Sequence, residues 1–342
     1  MPDLVSLTGL LPEEIYTYIP EEPEYRAKQI FKWISDGAAS LHQMSNLPAN
    51  LRDRLSNTFL PRSSVIEQKL IDPDGTMKLQ LKLHDNFCVE TVLLIDSDQR
   101  KTACVSCQVG CAMGCAFCKT GTLGFARNLT ADEIVEQFLY LEQEAGKLDN
   151  IVFMGMGEPM HNLGSIRKSI KILTHSGGRN LSSRRITLST AGIISGIYDL
   201  ADNGPPIRLA VSLTTADPVL REKLMPVTKG NPLNALRQAI SYFINKTGKR
   251  CTLEAALLGG VNTDRAQADL LASFAKGLDV HVNVIPWNPV KDLPFTEPSR
   301  NECFRFMNTL EEQDINVTMR MKRGEKIGGA CGQLGKIVVD KK

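Results

Sequence analysis

Helical periodicity marks the first 62 residues of the chain. Apolar side chains recur every three to four residues in two short segments, the spacing that places them on one face of an α-helix. The first segment spans residues 24–35 and stops near Gly37, and the second follows Pro48. The apolar positions are Ile30, Phe31 and Ile34 in the first segment and Leu51 and Leu55 in the second. We predict a small helical domain over residues 1–62.

A period of two replaces the helical period between residues 63 and 103. The turn sequence Pro73-Asp74-Gly75 precedes a segment in which apolar and polar residues alternate, as they do in a half-buried strand. The apolar positions of this segment are Met77, Leu79, Leu81 and Leu83. Cys88–Ile95 is a second strand-like run. We predict a β-strand and hairpin extension over residues 63–103.

From residue 104 to residue 342 the rhythm is strand, loop, helix. Two helix starts are marked, by the capping box Thr130-Ala131-Asp132-Glu133 and by Asp217-Pro218. Short apolar strands are predicted over residues 151–154, 186–189, 209–213, 251–255, 282–285 and 317–321. Repeated βα units favour a parallel sheet. The predicted fold class is α/β, with an open (β/α)6 partial barrel over residues 104–342 whose chemistry gathers at the C-terminal ends of the strands.

Composition adds limits to this picture. The chain has 342 residues, 42% of them hydrophobic and 23% charged, which suits two domains or one barrel with an appendage. A chain of this length buries a large core without disulfide bonds. Neither a transmembrane span nor an N-terminal signal sequence is apparent, so we expect a cytoplasmic protein.

The formal net charge of +2 does not by itself indicate a nucleic-acid-binding protein. Basic residues are nevertheless clustered in two places. The clusters are Arg184 with Arg185, and Arg320, Lys322, Arg323 and Lys326. A solvated surface and a phosphate-binding surface both remain open from charge alone.

Cys111, Cys115 and Cys118 form a C-x3-C-x2-C run, with Phe117 directly before the last cysteine. Each iron of a [4Fe–4S] cluster is normally held by a thiolate, so three local thiolates leave one iron free for a cofactor. This spacing is typical of radical S-adenosylmethionine (SAM) enzymes. Zinc is the alternative, but zinc sites commonly have four Cys or His ligands in paired motifs, and here only one C-x2-C pair is present.

The loops after the predicted strands carry groups that suit a ligand. Glycines allow a close approach of the backbone, a carboxylate accepts from an ammonium group, and hydroxyls suit a ribose or a carboxylate. The side chain of Asn288 suits an adenine edge. The loops are Gly155-Met156-Gly157-Glu158-Pro159, Ser189-Thr190-Ala191-Gly192, Ser212-Leu213-Thr214 and Pro286-Trp287-Asn288-Pro289. Each alone is compatible with an ordinary turn, but their regular placement favours a binding site.

Two further cysteines have no cluster spacing. Cys331 lies in Gly329-Ala330-Cys331-Gly332, a loop that we expect to be exposed, and it favours a reactive thiol because flexible glycines rarely flank a core cysteine. Cys104 lies seven residues before Cys111. The residues predicted to be core are Cys88, Cys251 and Cys303, and Cys107 is left open.

Taken together, these motifs resemble the RlmN/Cfr family of radical SAM RNA methyltransferases, from about residue 6 to residue 336. The closer resemblance is to the branch that methylates carbon 2 of adenine in both 23S rRNA and tRNA. The segments that carry it are residues 104–118, residues 121–129, the Gly-Met-Gly-Glu-Pro loop, Leu188-Ser189-Thr190, Ile285-Pro286-Trp287-Asn288-Pro289 and Ala330-Cys331-Gly332-Gln333-Leu334.

The resemblance implies a ping-pong reaction that uses two SAM molecules, because carbon 2 of adenine is electron-poor and does not attack SAM directly. Cys331 would take a methyl group from one SAM, giving S-methylcysteine. A second SAM on the [4Fe–4S] cluster would yield a 5′-deoxyadenosyl radical that removes hydrogen from this methyl group. The methylene radical would add to the base, and Cys104 would resolve the crosslink by forming a disulfide with Cys331.

The resemblance also assigns roles residue by residue. Cys111, Cys115 and Cys118 would hold the cluster, and Glu90 would be the proton acceptor. The SAM site would consist of Gly157, Glu158, Ser189, Ser212, Leu213, Thr214 and Asn288. Family members commonly have Ser-Leu-His where this chain has Ser212-Leu213-Thr214.

The implied substrates are adenosines in the peptidyl-transferase region of 23S rRNA and in the tRNA anticodon loop, with the N-terminal helical domain helping to engage RNA. Such a base must be lifted from its stack to react. A flavodoxin-like or ferredoxin-like electron donor, a cytoplasmic monomer and no membrane partner are also implied.

Three alternatives remain at this point. One is methylation at carbon 8 of an adenosine in 23S rRNA by the same fold. Another is a non-catalytic iron–sulfur or zinc RNA-binding module, which the pair Cys104 and Cys331 disfavours because a binder needs no methyl-carrying thiol. The third is a radical SAM enzyme with a small-molecule substrate, which the helical domain and the basic clusters disfavour because RNA needs phosphate contacts.

Overall fold

The N-terminal segment consists of short helices tied together by a two-stranded parallel ribbon. A computed structural model describes residues 4–335, so residues 1–3 and 336–342 of the predicted domains lie outside the described part of the chain. The elements of the segment are β1 (Val5–Ser6), α1 (Pro12–Tyr16), α2 (Tyr25–Ser35), α3 (Ala49–Ser56) and β2 (Phe59–Leu60). The two predicted helices correspond to α2 and α3, and the apolar residues that predicted them are buried.

The predicted strands of the next segment form an antiparallel meander. Its elements are β3 (Val65–Ile71), β4 (Met77–Lys82) and β5 (Cys88–Ile95). The alternation that predicted β4 is reflected in the burial of Met77, Leu79 and Leu81. This meander is not a separate layer, because β5 pairs with the following strand β6 (Lys101–Cys104) and thereby joins the main sheet.

Alternating strands and helices make up the rest of the chain. The elements after β6 are β7 (Gln108–Gly110), α4 (Lys119–Thr122), β8 (Phe125–Asn128), α5 (Ala131–Ala145), β9 (Asn150–Phe153), α6 (Leu163–Thr174), β10 (Ile186–Thr190), α7 (Ile194–Asn203), β11 (Arg208–Ser212), α8 (Pro218–Leu224), α9 (Leu233–Thr247), β12 (Cys251–Leu257), α10 (Arg265–Ala275), β13 (Val280–Pro286), α11 (Arg300–Glu311) and β14 (Val317–Met319). Both predicted helix starts are confirmed: Thr130 and Glu133 form a capping box at α5, and Asp217 accepts from two backbone N–H groups at α8.

One mixed sheet of ten strands organises the molecule, in the order β14-β13-β12-β11-β10-β9-β6-β5-β4-β3. The seven strands at one end of this order, β14 to β6, pair in parallel. The three strands at the other end, β5, β4 and β3, are antiparallel to their neighbours. The parallel part therefore has a seventh strand, β6, beside the six predicted from residue 151 onward. Over residues 4–335 the edge strands β3 and β14 do not pair with each other, so the sheet stays open, as predicted.

The two faces of the sheet differ in polarity. In β10, Ile186, Leu188 and Thr190 are buried, whereas Thr187 and Ser189 between them are only partly buried. Thr187 lines a cavity of about 750 Å³ on the other face of the sheet. Between residues 4 and 335, none of the helices has the length and apolarity that crossing a bilayer requires.

A buried carboxylate fastens the N-terminal segment to the main sheet. Glu136 of α5 accepts hydrogen bonds from the hydroxyls of Ser6 and Thr8, at 3.0 and 2.7 Å. It also accepts from the backbone N–H groups of Ser63 and Ser64, at 2.7 and 2.8 Å. Since these donors come from both ends of the segment, its position is tied to one side chain of α5.

Candidate active site

The three cysteines of the C-x3-C-x2-C run lie in the loop between β7 and α4. Burial raises the pKa of each thiol, that of Cys111 to about 12, and the charge of Cys118 raises the pKa values of Cys111 and Cys115 further. The thiols are therefore close enough to interact. Buried thiols ionise readily only beside a cation, and a metal centre provides one.

No three His, Cys, Asp or Glu side chains within residues 4–335 converge as they would on a single metal ion. A [4Fe–4S] cluster has a separate iron for each thiolate, so its ligands need not converge on one point. The donor set of the loop, three thiols without a carboxylate or imidazole, is soft and suits iron–sulfur ligation. The loop residues therefore fit such a cluster.

The cavity on the more polar face of the sheet lies beside this loop. Its volume of about 750 Å³ is in the range of small-molecule sites in proteins. Cys118, Cys104 and Cys331 line it, together with Asn288 after β13 and Arg320 after β14. The structure thus brings together a cluster cysteine, both extra cysteines and a strand-end asparagine.

The loop that carries Cys331 is folded down into this cavity. The backbone N–H of Lys119 donates to the carbonyl of Gly332 at 2.8 Å, and the Thr120 hydroxyl donates to the carbonyl of Leu334 at 2.6 Å. Asn288 Nδ2 donates to the carbonyl of Cys331 at 3.1 Å. Because these bonds hold the loop against the cluster loop, Cys331 is half-buried, and the expectation of an exposed loop was wrong.

Cys104 is buried at the C-terminal end of β6. Burial is the main reason that its pKa rises to about 12, and a smaller contribution comes from Cys331. Arg320 opposes the rise. Cys104 and Cys331 therefore line the same cavity, and the guanidinium of Arg320 lies near both thiols.

Glu90 lies on β5, and both of its carboxylate oxygens are occupied by groups of the chain itself. Oε1 pairs with Lys78 Nζ at 2.9 Å, and Oε2 accepts from the backbone N–H of Gly335 at 2.7 Å. Lys78 also donates to the carbonyl of Gly328. In this arrangement Glu90 anchors the end of the Cys331 loop, and its role as a proton acceptor stays a prediction.

The Gly-Met-Gly-Glu-Pro loop is tied to the neighbouring strand ends. Glu158 is buried, and its carboxylate accepts from the backbone N–H groups of Met160 and Ala191 at 3.0 and 2.7 Å. Burial raises the pKa of this carboxyl group despite both bonds. Gly157 has a φ of 105°, and a Cβ there would stand 2.5 Å from Cβ of Gln108, so this position requires glycine.

Two residues of the predicted SAM site carry buried polar atoms without a partner. Thr214 Oγ1 and Asn288 Oδ1 make no hydrogen bond to the described part of the chain. Thr214 also has a φ of 62°, which a β-branched residue seldom adopts and which is typical of ligand-binding positions. Since SAM offers hydroxyl and amino donors, these orphaned oxygens fit a molecule of its chemistry.

Ser189, Ser212 and Leu213 lie at the ends of β10 and β11, as predicted. Arg221 holds the backbone at and around these strand ends, and the sequence analysis did not identify this residue. The guanidinium of Arg221 is fully buried and donates to the carbonyls of Leu213, Ala191 and Ser212 and to the Thr228 hydroxyl. Burial lowers the pKa of Arg221 to about 10, and the nearby Cys115 opposes this.

Other cavity residues were missed or seen only as surface charge. Arg320 was noticed only as part of a basic cluster, yet it is half-buried beside both extra cysteines. Glu254 was missed, although a carboxylate inside the apolar run 251–255 was a usable signal. Of the two basic clusters, Arg185, Lys322 and Arg323 also line the cavity, and Lys326 does not. The remaining cysteines Cys88, Cys251 and Cys303 are buried, as predicted, and so is Cys107.

Comparisons with known proteins agree with this geometry. A family model described as the Radical SAM superfamily matches residues 105–271, and one described as the ribosomal RNA large subunit methyltransferase N-terminal domain matches residues 5–60. The chain is 57% identical over 330 residues to the "Probable dual-specificity RNA methyltransferase RlmN" of Treponema denticola, covering 96% of this chain and 95% of that protein. A protein of the same name from Alkaliphilus oremlandii is 42% identical over 334 residues, covering 97% of both chains.

A solved structure shares the whole fold. It is a radical SAM methyltransferase from Sphaerobacter thermophilus, similar with a TM-score of 0.93 at 40% identity. The match covers 96% of this chain and 99% of that one.

Proposed function

The chain belongs to the RlmN family of radical SAM RNA methyltransferases, and we propose that it methylates carbon 2 of an adenosine in 23S rRNA and in the tRNA anticodon loop. The observation that supports this proposal most is the meeting of Cys331 and Cys104 in one cavity beside the cluster loop. A protein that only binds RNA needs no such pair of thiols.

As a radical SAM protein, the chain uses a [4Fe–4S] cluster and SAM. When bound, these groups supply an electron, a methyl group and a carbon radical that abstracts hydrogen. Cys111, Cys115 and Cys118 would hold the cluster. The SAM site would comprise Gly157, Glu158, Ser189, Ser212, Leu213, Thr214 and Asn288.

One thiol of the chain would carry the methyl group between SAM and RNA in a ping-pong reaction, and a second thiol would release the product. The Cys331 thiolate would take the methyl group, and its loop, held by Lys119, Thr120 and Asn288, would keep the sulfur in the cavity. After the carbon has bonded to the base, the Cys104 thiolate would attack the sulfur of Cys331. The bond between that sulfur and the carbon would break, and the carbon would keep the electron pair and take up a proton to become the methyl group. The odd electron that the radical addition leaves on the base would return to the cluster, and the disulfide would require two further electrons from a reductant before the next turnover.

Glu90 would accept the proton that the base loses. Its carboxylate is bonded to Lys78 and Gly335, so proton transfer would require the loop end at Gly335 to move away from it. Release of the loop end and proton transfer would then be linked.

We further propose an RNA loop as the form in which the substrate is bound, because a base inside a duplex cannot reach the cavity. The N-terminal helical domain, over residues 1–62, would help to engage the RNA. The β-strand extension over residues 63–103 and the partial barrel over residues 104–342 would form the rest of the enzyme. A flavodoxin-like or ferredoxin-like protein would donate the electron. The enzyme would act as a monomer in the cytoplasm.

Nucleoside mass spectrometry tests this function. Anaerobically reconstituted protein would be incubated with SAM, reductant and unmodified 23S rRNA or tRNA, and we expect 2-methyladenosine in both digests. Cys331→Ala should abolish the product, whereas Cys104→Ala should accumulate a protein–RNA crosslink. Cys303→Ala, which removes a buried cysteine of α11, is the matched control and should leave the product unchanged. 8-Methyladenosine as the product would refute carbon-2 specificity, and a product formed normally by Cys331→Ala would refute the ping-pong reaction.

A further inference from the structure

A buried carboxylate in the cavity has an oxygen with no partner. Glu254 on β12 is only 6% exposed. Its Oε1 accepts from Asn283 Nδ2 at 3.1 Å, but Oε2 is buried and makes no hydrogen bond to any described residue. Leaving a buried acceptor unsatisfied is unfavourable, and more so for a charged group. Such an atom, on a side chain that lines the cavity, points to a ligand that donates a hydrogen bond.

The orientation of this carboxylate is set by a short hydrogen-bonded chain across β13 and β14. The Thr318 hydroxyl donates to Asn283 Oδ1 at 2.8 Å and contacts His281 Nε2 at 2.8 Å. Because the amide oxygen of Asn283 is engaged by Thr318, its NH2 group faces Glu254. The carboxylate is thus held by Oε1, and Oε2 remains free.

Glu254 also borders the reacting thiols. The half-buried Arg320 has its pKa raised by Cys331, Glu254 and Cys104, which places one guanidinium among all three. All four side chains line the same cavity. Glu254 lies three residues before the end of β12 at Leu257, away from the strand-end loops. A base that reaches Cys331 would therefore lie beside this carboxylate.

We propose that Glu254 Oε2 accepts a hydrogen bond from the 6-amino group of the target adenine, which makes Glu254 a residue that determines base specificity. This inference rests on the proposed function. Adenine donates through its 6-amino group and accepts through its ring nitrogens, which suits a carboxylate next to the donor groups of Arg320. Guanine has a carbonyl oxygen at position 6, which a carboxylate would repel.

A cycle of two changes, one in the RNA and one in the protein, tests the hydrogen bond. The RNA is an anticodon stem–loop that carries either adenosine or purine riboside, which lacks the 6-amino group, at the methylated position. The protein is the reconstituted holoenzyme, wild type or Glu254→Leu, with S-adenosylhomocysteine in place of SAM. Binding is measured by fluorescence anisotropy. We expect wild type to bind the purine RNA about tenfold more weakly than the adenosine RNA, because the purine base cannot donate the hydrogen bond to the charged carboxylate.

Glu254→Leu should bind the two RNAs with affinities equal within about twofold, because leucine cannot accept a hydrogen bond from the 6-amino group. Glu254→Gln keeps the shape and a neutral acceptor, and it should discriminate by about threefold. It also provides the test should the leucine variant fail to fold, as judged by thermal melting. Glu222→Gln, on α8 outside the cavity, removes the same charge and should retain the wild-type discrimination.

Equal discrimination in wild type and both Glu254 variants would overturn the inference. So would a tenfold loss of SAM affinity in Glu254→Leu with unchanged base discrimination, since the carboxylate would then bind a ribose hydroxyl of SAM. Failure of the proposed function would give a different result. The wild-type holoenzyme would then neither bind nor methylate the adenosine RNA, and both proposals would be wrong.

Discussion

Burial governs the chemistry of single residues around this cavity. Burial raises the pKa of the Cys104 thiol to about 12, and it raises the pKa values of the three cysteines of the cluster loop as well. Each thiol therefore needs a neighbouring positive centre to react, which for Cys104 is Arg320.

Alkylation of Cys104 should consequently depend on pH. Below a pKa of about 12 the thiolate fraction rises tenfold with each pH unit, so the rate of iodoacetamide labelling should rise about tenfold per unit between pH 8 and pH 10. Arg320→Met should slow labelling at every pH in this range, because loss of the guanidinium raises the pKa further. Mass spectrometry of the Cys104 peptide measures both effects. A rate that does not change with pH would contradict this account of the thiol.

Thr214, in the proposed SAM site, combines an unusual backbone conformation with an unpartnered hydroxyl group. Its left-handed backbone and its unpartnered hydroxyl both cost free energy, and both occur where family members commonly have histidine. A threonine hydroxyl is shorter than an imidazole and does not titrate near neutral pH. The contact to SAM proposed here would therefore be a short hydrogen bond that is independent of pH.

At the scale of elements, the cavity extends along the open sheet from the C-terminal to the N-terminal ends of the parallel strands. The cysteines and Asn288 lie at the C-terminal ends of the parallel strands, but Arg185 and Arg208 line the cavity where β10 and β11 begin. Both arginines are exposed. The interior of a closed barrel is filled by side chains, whereas here two positively charged side chains that suit phosphates line this end of the cavity.

Reversing these charges should weaken RNA binding in a salt-dependent way. For Arg185→Glu combined with Arg208→Glu, the slope of log affinity against log salt should fall by about 1.4, because each phosphate contact to single-stranded RNA contributes about 0.7. Anisotropy titrations between low and physiological salt measure the slope. Arg305→Glu, an exposed position on α11, is the matched control and should leave the slope nearly unchanged. An unaltered slope in the double variant would mean that RNA enters elsewhere.

At the scale of the whole molecule, the N-terminal segment and the sheet behave as one folded unit. The carboxylate of Glu136 gathers donors from Ser6, Thr8, Ser63 and Ser64, which enter and leave the segment. Burial raises the pKa of this carboxyl group, and the hydrogen bonds from Ser64, Ser63 and Thr8 oppose the rise only in part. The proposed RNA-engaging domain is thereby held in a fixed position relative to the cavity.

Loss of this carboxylate should release the segment. Glu136→Ala leaves several buried donors unpaired, so it should destabilise the protein by about 3 kcal/mol and expose the segment to limited proteolysis. Glu144→Ala, on the same helix, removes only an ion pair to Lys69 and should cost less than about 1 kcal/mol. Thermal melting and protease digestion measure both variants. Equal behaviour of the two would show that Glu136 does not hold the segment.

Local signals in the sequence were sufficient to predict the elements, the α/β class and the family of this protein. Helical and two-residue periodicities, the caps at Thr130 and Asp217 and the spacing of Cys111, Cys115 and Cys118 all act between near neighbours in the chain. They can be read without the fold because the interactions that produce them are local. The predicted open sheet and the family are both confirmed.

Only the tertiary structure decided which distant residues meet. It packed the half-buried Cys331 against the cluster loop, engaged both oxygens of Glu90 and placed Arg320 among two thiols and a carboxylate. It also left Oε2 of Glu254 without a partner, which no pattern of neighbours can reveal. Hydrogen-bond satisfaction and burial depend on segments up to about 250 residues apart, such as Glu90 and Gly335. These quantities exist only once the chain has folded, and they set the chemistry of the cavity.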